Sequence, residues 1–195
     1  NDQICRGEMT MADFNRVLAE QLKMSSVDWT EYYLKGVEPM PDMGELVSWA
    51  SEIYGIGLMT NIMPGLLTGM LERGIIPDVA YDAIIDSSQV HAIKPEPKIY
   101  ETSIERAAAQ PAETLFIDDS RANIMAAEKF GLHVLWFDDT RPEESASRIR
   151  QALEPTIVEA PTPVAAETAA AVSPVAPDSG LASQFLAPRS VDIPG

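Results

Sequence analysis

The sequence is poor in cysteine, in positive charge and in long apolar runs, and each shortage excludes something. A single cysteine, Cys5, among 195 residues rules out an internal disulfide and points to a reducing compartment, so a cytoplasmic location is expected. Nothing beside Cys5 would activate a thiol, and packing is its expected role. Lys and Arg number 14 against 30 Asp and Glu, giving a formal net charge of -16 and a pI near 4.3. That balance disfavours nucleic acid and anionic membrane as partners, since both are polyanions. No apolar run approaches the roughly 18–20 residues of a membrane span, and the opening NDQICRGEM does not read as a signal peptide.

What is present is a chain with 46% hydrophobic residues, enough for one domain with a real core. Thr10 to Lys23 reads as a helix with Thr10 as N-cap and Asp13 three positions on; Phe14, Val17, Leu18 and Leu22 recur at helical spacing. An aromatic helix is expected from Ser25 to Gly36, then a turn at VEPMPDM, whose two prolines a helix interior excludes, then a helix over MGELVSWASEI. From Tyr54 the period changes. YGIGLMTN, DAIIDSS, ETLFIDD and HVLWFDD read as strands; PGLLTGMLERG, KPEPKIYETSIERAAAQ and SRANIMAAEKFG read as the helices between them. Four strands alternating with three helices predict an α/β fold, a Rossmann-like parallel sheet with helices on both faces. From about Glu154 the chain is Ala- and Pro-rich without apolar periodicity, so residues 154–195 are expected to form a disordered tail or linker.

Ligands of such sheets sit at the carboxyl ends of the strands, and the chemistry-bearing residues fall there. Thr60, in LMTN, offers a hydroxyl that can bind an oxyanion; by itself it is as readily a strand-end turn. Lys94, in AIKPEP, sits before two prolines on a stiffened segment, where an ammonium can neutralise phosphate or carboxylate charge; alone it would be a solvated lysine. Asp118 and Asp119, in TLFIDDSRAN, are adjacent acids at a strand end. Burying such a pair costs several kcal/mol for each acid unless something positive compensates. A hard cation such as Mg²⁺, held by one or two carboxylates plus waters and a phosphate, suits them. The competing reading is a helix cap, since Asp119 and Ser120 precede a helix.

A hydroxyl, a lysine and an acid pair, each ending or following a successive strand, resemble the haloacid dehalogenase superfamily: LMTN its second motif, KPEPKIY its third, FIDDSRANI its fourth. The stretch from Asp86 to Gly131 is similar to the N-terminal phosphatase domain of soluble epoxide hydrolases and to related sugar-phosphate phosphatases. The resemblance implies an Asp that attacks phosphorus to form an aspartyl-phosphate, and a second Asp two residues on as general acid and base. It implies Thr60 and Asn61 as holders of the phosphoryl oxygens, Lys94 as the residue steadying nucleophile and phosphoryl charge, and Asp119 with Asp118 as holders of Mg²⁺. Asn123 stands where many members carry another acid. The implied substrate is a small phosphorylated molecule, which the sequence does not name.

One family feature has no counterpart. The first motif, Asp-x-Asp, should precede Thr60, yet the aspartates there are Asp2, Asp13, Asp28 and Asp42, no two of them two apart. The expectation is a fragment that begins inside the family's helical cap, with 1–40 as the remainder of the cap and 41–153 as the core. Such a chain would be inactive as given, and its sheet would have a slot or two neighbours closed onto each other. Three alternatives compete with a phosphatase. A haloacid dehalogenase needs no metal, which the acid pair disfavours. A receiver domain places its acid pair first and its lysine last, the reverse of the order here. A non-catalytic interaction module would lack the first motif outright.

Overall fold

The computed structural model describes residues 2–154, so the expectation for residues 155–195 lies outside the described residues. Among the described residues nine α-helices and four strands follow one another: α1 (Asp2–Cys5), α2 (Met11–Leu22), α3 (Trp29–Gly36), α4 (Pro41–Ser51), β1 (Ile56–Thr60), α5 (Leu66–Glu72), β2 (Tyr81–Asp86), α6 (Ser87–Val90), α7 (Pro97–Ala107), β3 (Leu115–Asp118), α8 (Arg121–Phe130), β4 (His133–Trp136) and α9 (Pro142–Leu153). The mixed α/β class and all four strands are as the sequence predicts.

Local chemistry sets the ends of these elements. Thr10 caps α2 by accepting the Asp13 N–H at 3.1 Å. α3 starts later than Ser25 because Asp28 takes the cap, accepting the Glu31 N–H at 3.0 Å. α4 starts earlier than expected: Pro41, read from sequence as part of a turn, occupies the first turn of the helix, where its missing N–H and fixed φ carry no penalty. α7 opens in the same way on Pro97.

Both strand connections are parallel. β1 pairs with β2, aligning Thr60 with Asp86, and β3 pairs with β4, aligning Asp118 with Trp136. The single sheet expected from sequence is instead two two-stranded sheets, with no ladder between β1 and β3 among the described residues.

Alternation along β3 and β4 directs side chains to two different cores. Phe116 and Val134 pack with Ile99 and Tyr100 of α7 and Ala127 of α8. Ile117 and Leu135 pack with Leu46 of α4 and Ala146 and Ile149 of α9. Helices therefore cover both faces, as expected, but α9 is one the sequence reading did not assign. A third cluster joins Leu34 of α3 to Leu66 and Leu67 of α5. No described helix is long and apolar enough to cross a membrane.

The residues before α2 are tied to the strand ends. The Ser87 hydroxyl donates to the Cys5 carbonyl at 2.6 Å and accepts the Ile62 N–H at 2.9 Å. Arg6 pairs with Glu96. Gly7 makes this docking possible: its φ is +69°, and a Cβ there would land on the Ser88 carbonyl oxygen. Gly7→Ala is expected to destabilise by at least about 2 kcal/mol, combining a left-handed backbone with a backbone clash. Gly36→Ala, with nothing within 4 Å, is expected to be neutral or to stabilise by up to about 1 kcal/mol. Urea denaturation of the two variants measures the contrast, and equal stabilities would refute it.

Candidate functional site

The carboxyl ends of β1 and β3 meet around one ammonium group. Lys94 Nζ donates to Asp118 Oδ2 at 2.7 Å and to the Met59 carbonyl of β1 at 3.2 Å. The Phe116 ring lies 5.9 Å from the same nitrogen, a distance at which a ring face attracts a cation. The Lys94 side chain is 12% exposed and that of Asp118 4%. Asp118 is turned inward because it continues the alternation of β3, whose burial pattern places Phe116 and Asp118 on the covered side.

A buried ion pair is tolerated best when its remaining lone pairs and protons are satisfied, and here both carboxylate oxygens and two of the three ammonium protons have partners. Asp118 Oδ1 accepts the Ser120 N–H at 2.9 Å and the Asn123 Nδ2 amide at 2.8 Å. Asn123 is itself buried, and its carbonyl accepts the Tyr100 hydroxyl at 3.0 Å. Burial, with a smaller contribution from the Asp118 carboxylate, pushes the Tyr100 phenol up to about 12, so it stays a neutral donor. The helix-cap reading holds for the position of Ser120 but not for a side-chain cap bond. Ser120 is the N-cap of α8 but makes no side-chain cap bond, and the carboxylate that receives its N–H is Asp118.

The adjacent acids part company. Asp119 is exposed, and among the described residues its carboxylate has no hydrogen bond or ion pair. Its main chain is pinned, because the Trp136 indole N–H donates to the Asp119 carbonyl at 2.7 Å. The Arg121 guanidinium lies 4.1 Å from the centre of the Trp136 ring.

Asn61 is brought to Lys94 more closely than the sequence implies. Its Oδ1 accepts the Lys94 N–H at 2.7 Å and its Nδ2 donates to the Lys94 carbonyl at 2.9 Å. Thr60 ends β1, half-buried, and its hydroxyl makes no hydrogen bond among the described residues, so it remains open to a ligand. Asp86, also at a strand end, caps α6 by accepting the Ser88 N–H at 2.9 Å. Sequence reasoning missed Tyr100 and the amide of Asn123 as supports of Asp118. The signal for Asn123 was its place two residues into a helix that follows the acid pair.

The donor set is hard oxygen, as Mg²⁺ prefers. Of the two acids, Asp118 is engaged by Lys94, Ser120 and Asn123, and the Asp119 carboxylate has no partner among the described residues. No group of three metal-ligating side chains occurs among the described residues.

Residues 6–137 match the family model of haloacid dehalogenase-like hydrolases. Acyl-CoA dehydrogenase family member 10 of Mus musculus is 25% identical over 156 residues, which is 76% of this chain and 14% of that protein. Bifunctional epoxide hydrolase 2 of Rattus norvegicus is 37% identical over 87 residues, 43% of this chain and 15% of that protein. The chain thus spans about one-seventh of the length of these curated relatives. Among solved structures, a haloacid dehalogenase-like hydrolase from Porphyromonas gingivalis superposes with a TM-score of 0.67 at 22% identity, covering 78% of each chain. A family enzyme from Bacteroides thetaiotaomicron, in complex with magnesium and inorganic phosphate, superposes at 0.60 with 23% identity, covering 70% of this chain and 74% of its own. These two likenesses concern the fold.

Removing one partner of the central pair leaves the other buried and uncompensated. Lys94→Met is therefore expected to destabilise by about 3 kcal/mol, the lower end of the range for a broken buried pair because the lysine keeps some solvent contact. Guanidinium unfolding of the variant measures it; a loss below about 1 kcal/mol, the scale of a surface pair, would show that the two charges are not held as described.

Proposed function

The chain belongs to the haloacid dehalogenase-like hydrolases, and from that membership we propose that its strand ends form the phosphoryl-binding half of a Mg²⁺-dependent phosphomonoester phosphatase. The substrate class is a small phosphorylated molecule. The observation that supports this reading is the placement of the Lys94 ammonium, bonded at once to the Met59 carbonyl and to Asp118, with the next residue, Asp119, exposed and without a side-chain partner among the described residues.

Each residue has a role in this proposal. Thr60 donates its hydroxyl to an oxygen of the transferring phosphoryl group. Lys94 presents a fixed positive charge to the same group, and Asp118 holds that charge in place. Asp119, with Asp118 behind it, holds Mg²⁺. A bound Mg²⁺ offsets the repulsion between acid and phosphate and stabilises charge on the phosphoryl oxygens. The surrounding protein, with its formal charge of -16, otherwise repels a phosphate ester. In this proposal residues 1–40 supply part of the helical cap and residues 41–153 the core.

None of these groups attacks phosphorus. In the proposed reaction the nucleophile is the first Asp of an Asp-x-Asp motif, which this sequence does not contain. Electrostatics without a nucleophile leaves the reaction near its uncatalysed rate. Phosphate-monoester hydrolysis is among the slowest reactions known, and enzymes accelerate it by up to about 10²¹-fold.

The chain of 195 residues is accordingly expected to show no detectable hydrolysis of a generic aryl phosphate, even with excess Mg²⁺. The same chain extended at its N-terminus by a strand ending in Asp-x-Asp and the first part of a cap is expected to be more stable. It should also turn over in a Mg²⁺-dependent way that Lys94→Ala or Asp119→Ala abolishes. Robust turnover by the unextended chain would contradict the assigned roles. A folded extended chain that is inert towards phosphate esters and active on a haloacid would move the reading to dehalogenation.

A further inference from the structure

Asn61 is exposed, yet both polar atoms of its side chain are committed to one residue. Oδ1 takes the Lys94 N–H at 2.7 Å and Nδ2 reaches the Lys94 carbonyl at 2.9 Å. A primary amide offers an acceptor and a donor side by side, the same pair of groups that a peptide offers to a neighbour in a ladder. The side chain of Asn61 thus does for Lys94 what a paired strand residue would do. At the far end of Lys94, the ammonium meets the Met59 carbonyl and Asp118. The end of β1 therefore grips this lysine twice, by the backbone through Asn61 and by the tip through Met59.

We propose that Asn61 is a positioning residue whose side chain fixes the backbone of Lys94 and so sets the ammonium against Asp118. This assignment differs from a phosphate contact made by the Asn61 side chain, and it rests on the role proposed above for Lys94. The reason is entropic. A lysine stem is flexible, and holding its tip at one point costs rotamer freedom. Fixing the backbone end removes much of the space the tip would otherwise sample. The residue type follows from the geometry. Aspartate would place a second acceptor against the Lys94 carbonyl, and serine lacks the paired donor and acceptor at that reach.

The test needs no turnover, so its failure and the failure of the phosphatase reading are distinguishable. The five lysines, Lys23, Lys35, Lys94, Lys98 and Lys129, are acetylated at low reagent concentration and followed peptide by peptide by mass spectrometry, alongside hydrogen exchange at the Lys94 amide. In Asn61→Ala, the Lys94 amide is expected to exchange faster, and acetylation of Lys94 to rise about tenfold, which corresponds to about 1.4 kcal/mol. The other four lysines should keep their rates. Faster amide exchange with unchanged Lys94 acetylation would overturn the proposal, because the clamp would then be local and without effect on the ammonium. A parallel rise at all five lysines in both Asn61→Ala and Asn61→Ser would also overturn it, since Asn61 would then support the fold as a whole.

Discussion

The structure turns on one ion pair. Lys94 and Asp118 lie between two strand pairs that share no ladder, and the ammonium that bonds Asp118 on β3 also bonds a carbonyl of β1. Two opposite charges taken out of water seldom repay their desolvation, and a well-packed apolar pair of similar volume is often as stable. What makes this pair tenable is the completeness of its surroundings. Ser120 and Asn123 satisfy the second carboxylate oxygen, Tyr100 holds the carbonyl of Asn123, and the Phe116 ring lies near the ammonium.

The neighbouring acids divide the work by direction. Asp118 follows the alternation of β3 inward, to the lysine. Asp119 lies one residue beyond the strand and faces outward, its carbonyl pinned by the Trp136 indole and its carboxylate free. Repulsion between the adjacent carboxylates is thereby relieved by Lys94 on one side and by solvent exposure on the other. The same pinning connects the site to the far face of the sheet, because Trp136 ends β4, and Leu135 next to it packs in the cluster that α4 and α9 form. Packing on that face thus bears on the orientation of Asp119.

Much of this was legible in the chain itself. The runs before Thr60 and Asp118 read as strands, the alternation of strands with helices read as a parallel arrangement covered on both faces, and Thr60, Lys94 and Asp118 stood out because their order along the chain matched a family. Other features escaped because they depend on distant partners. Asn61 and Lys94 are 33 residues apart, and no local period reveals that one side chain will pair with the other's backbone. The break into two sheets concerns which edges meet. Helix α9 was legible in principle: Ala146, Ile149 and Leu153 recur at helical spacing. Its stretch PEESASRIRQAL is so polar that the apolar stripe was overlooked. The early start of α4 shows a proline opening a helix where its presence read as a turn.

The central claim is that Asp119, set beside a lysine-bound Asp118, is the acid open to a divalent cation. A Mg²⁺ titration of the chain followed by amide chemical shifts tests it most directly. Weak, saturable shifts are expected at Asp119, Ser120 and Arg121, and they should vanish in Asp119→Asn while the remaining spectrum keeps its folded dispersion. Shifts that spread evenly over the acidic surface, or that survive Asp119→Asn, would contradict the account.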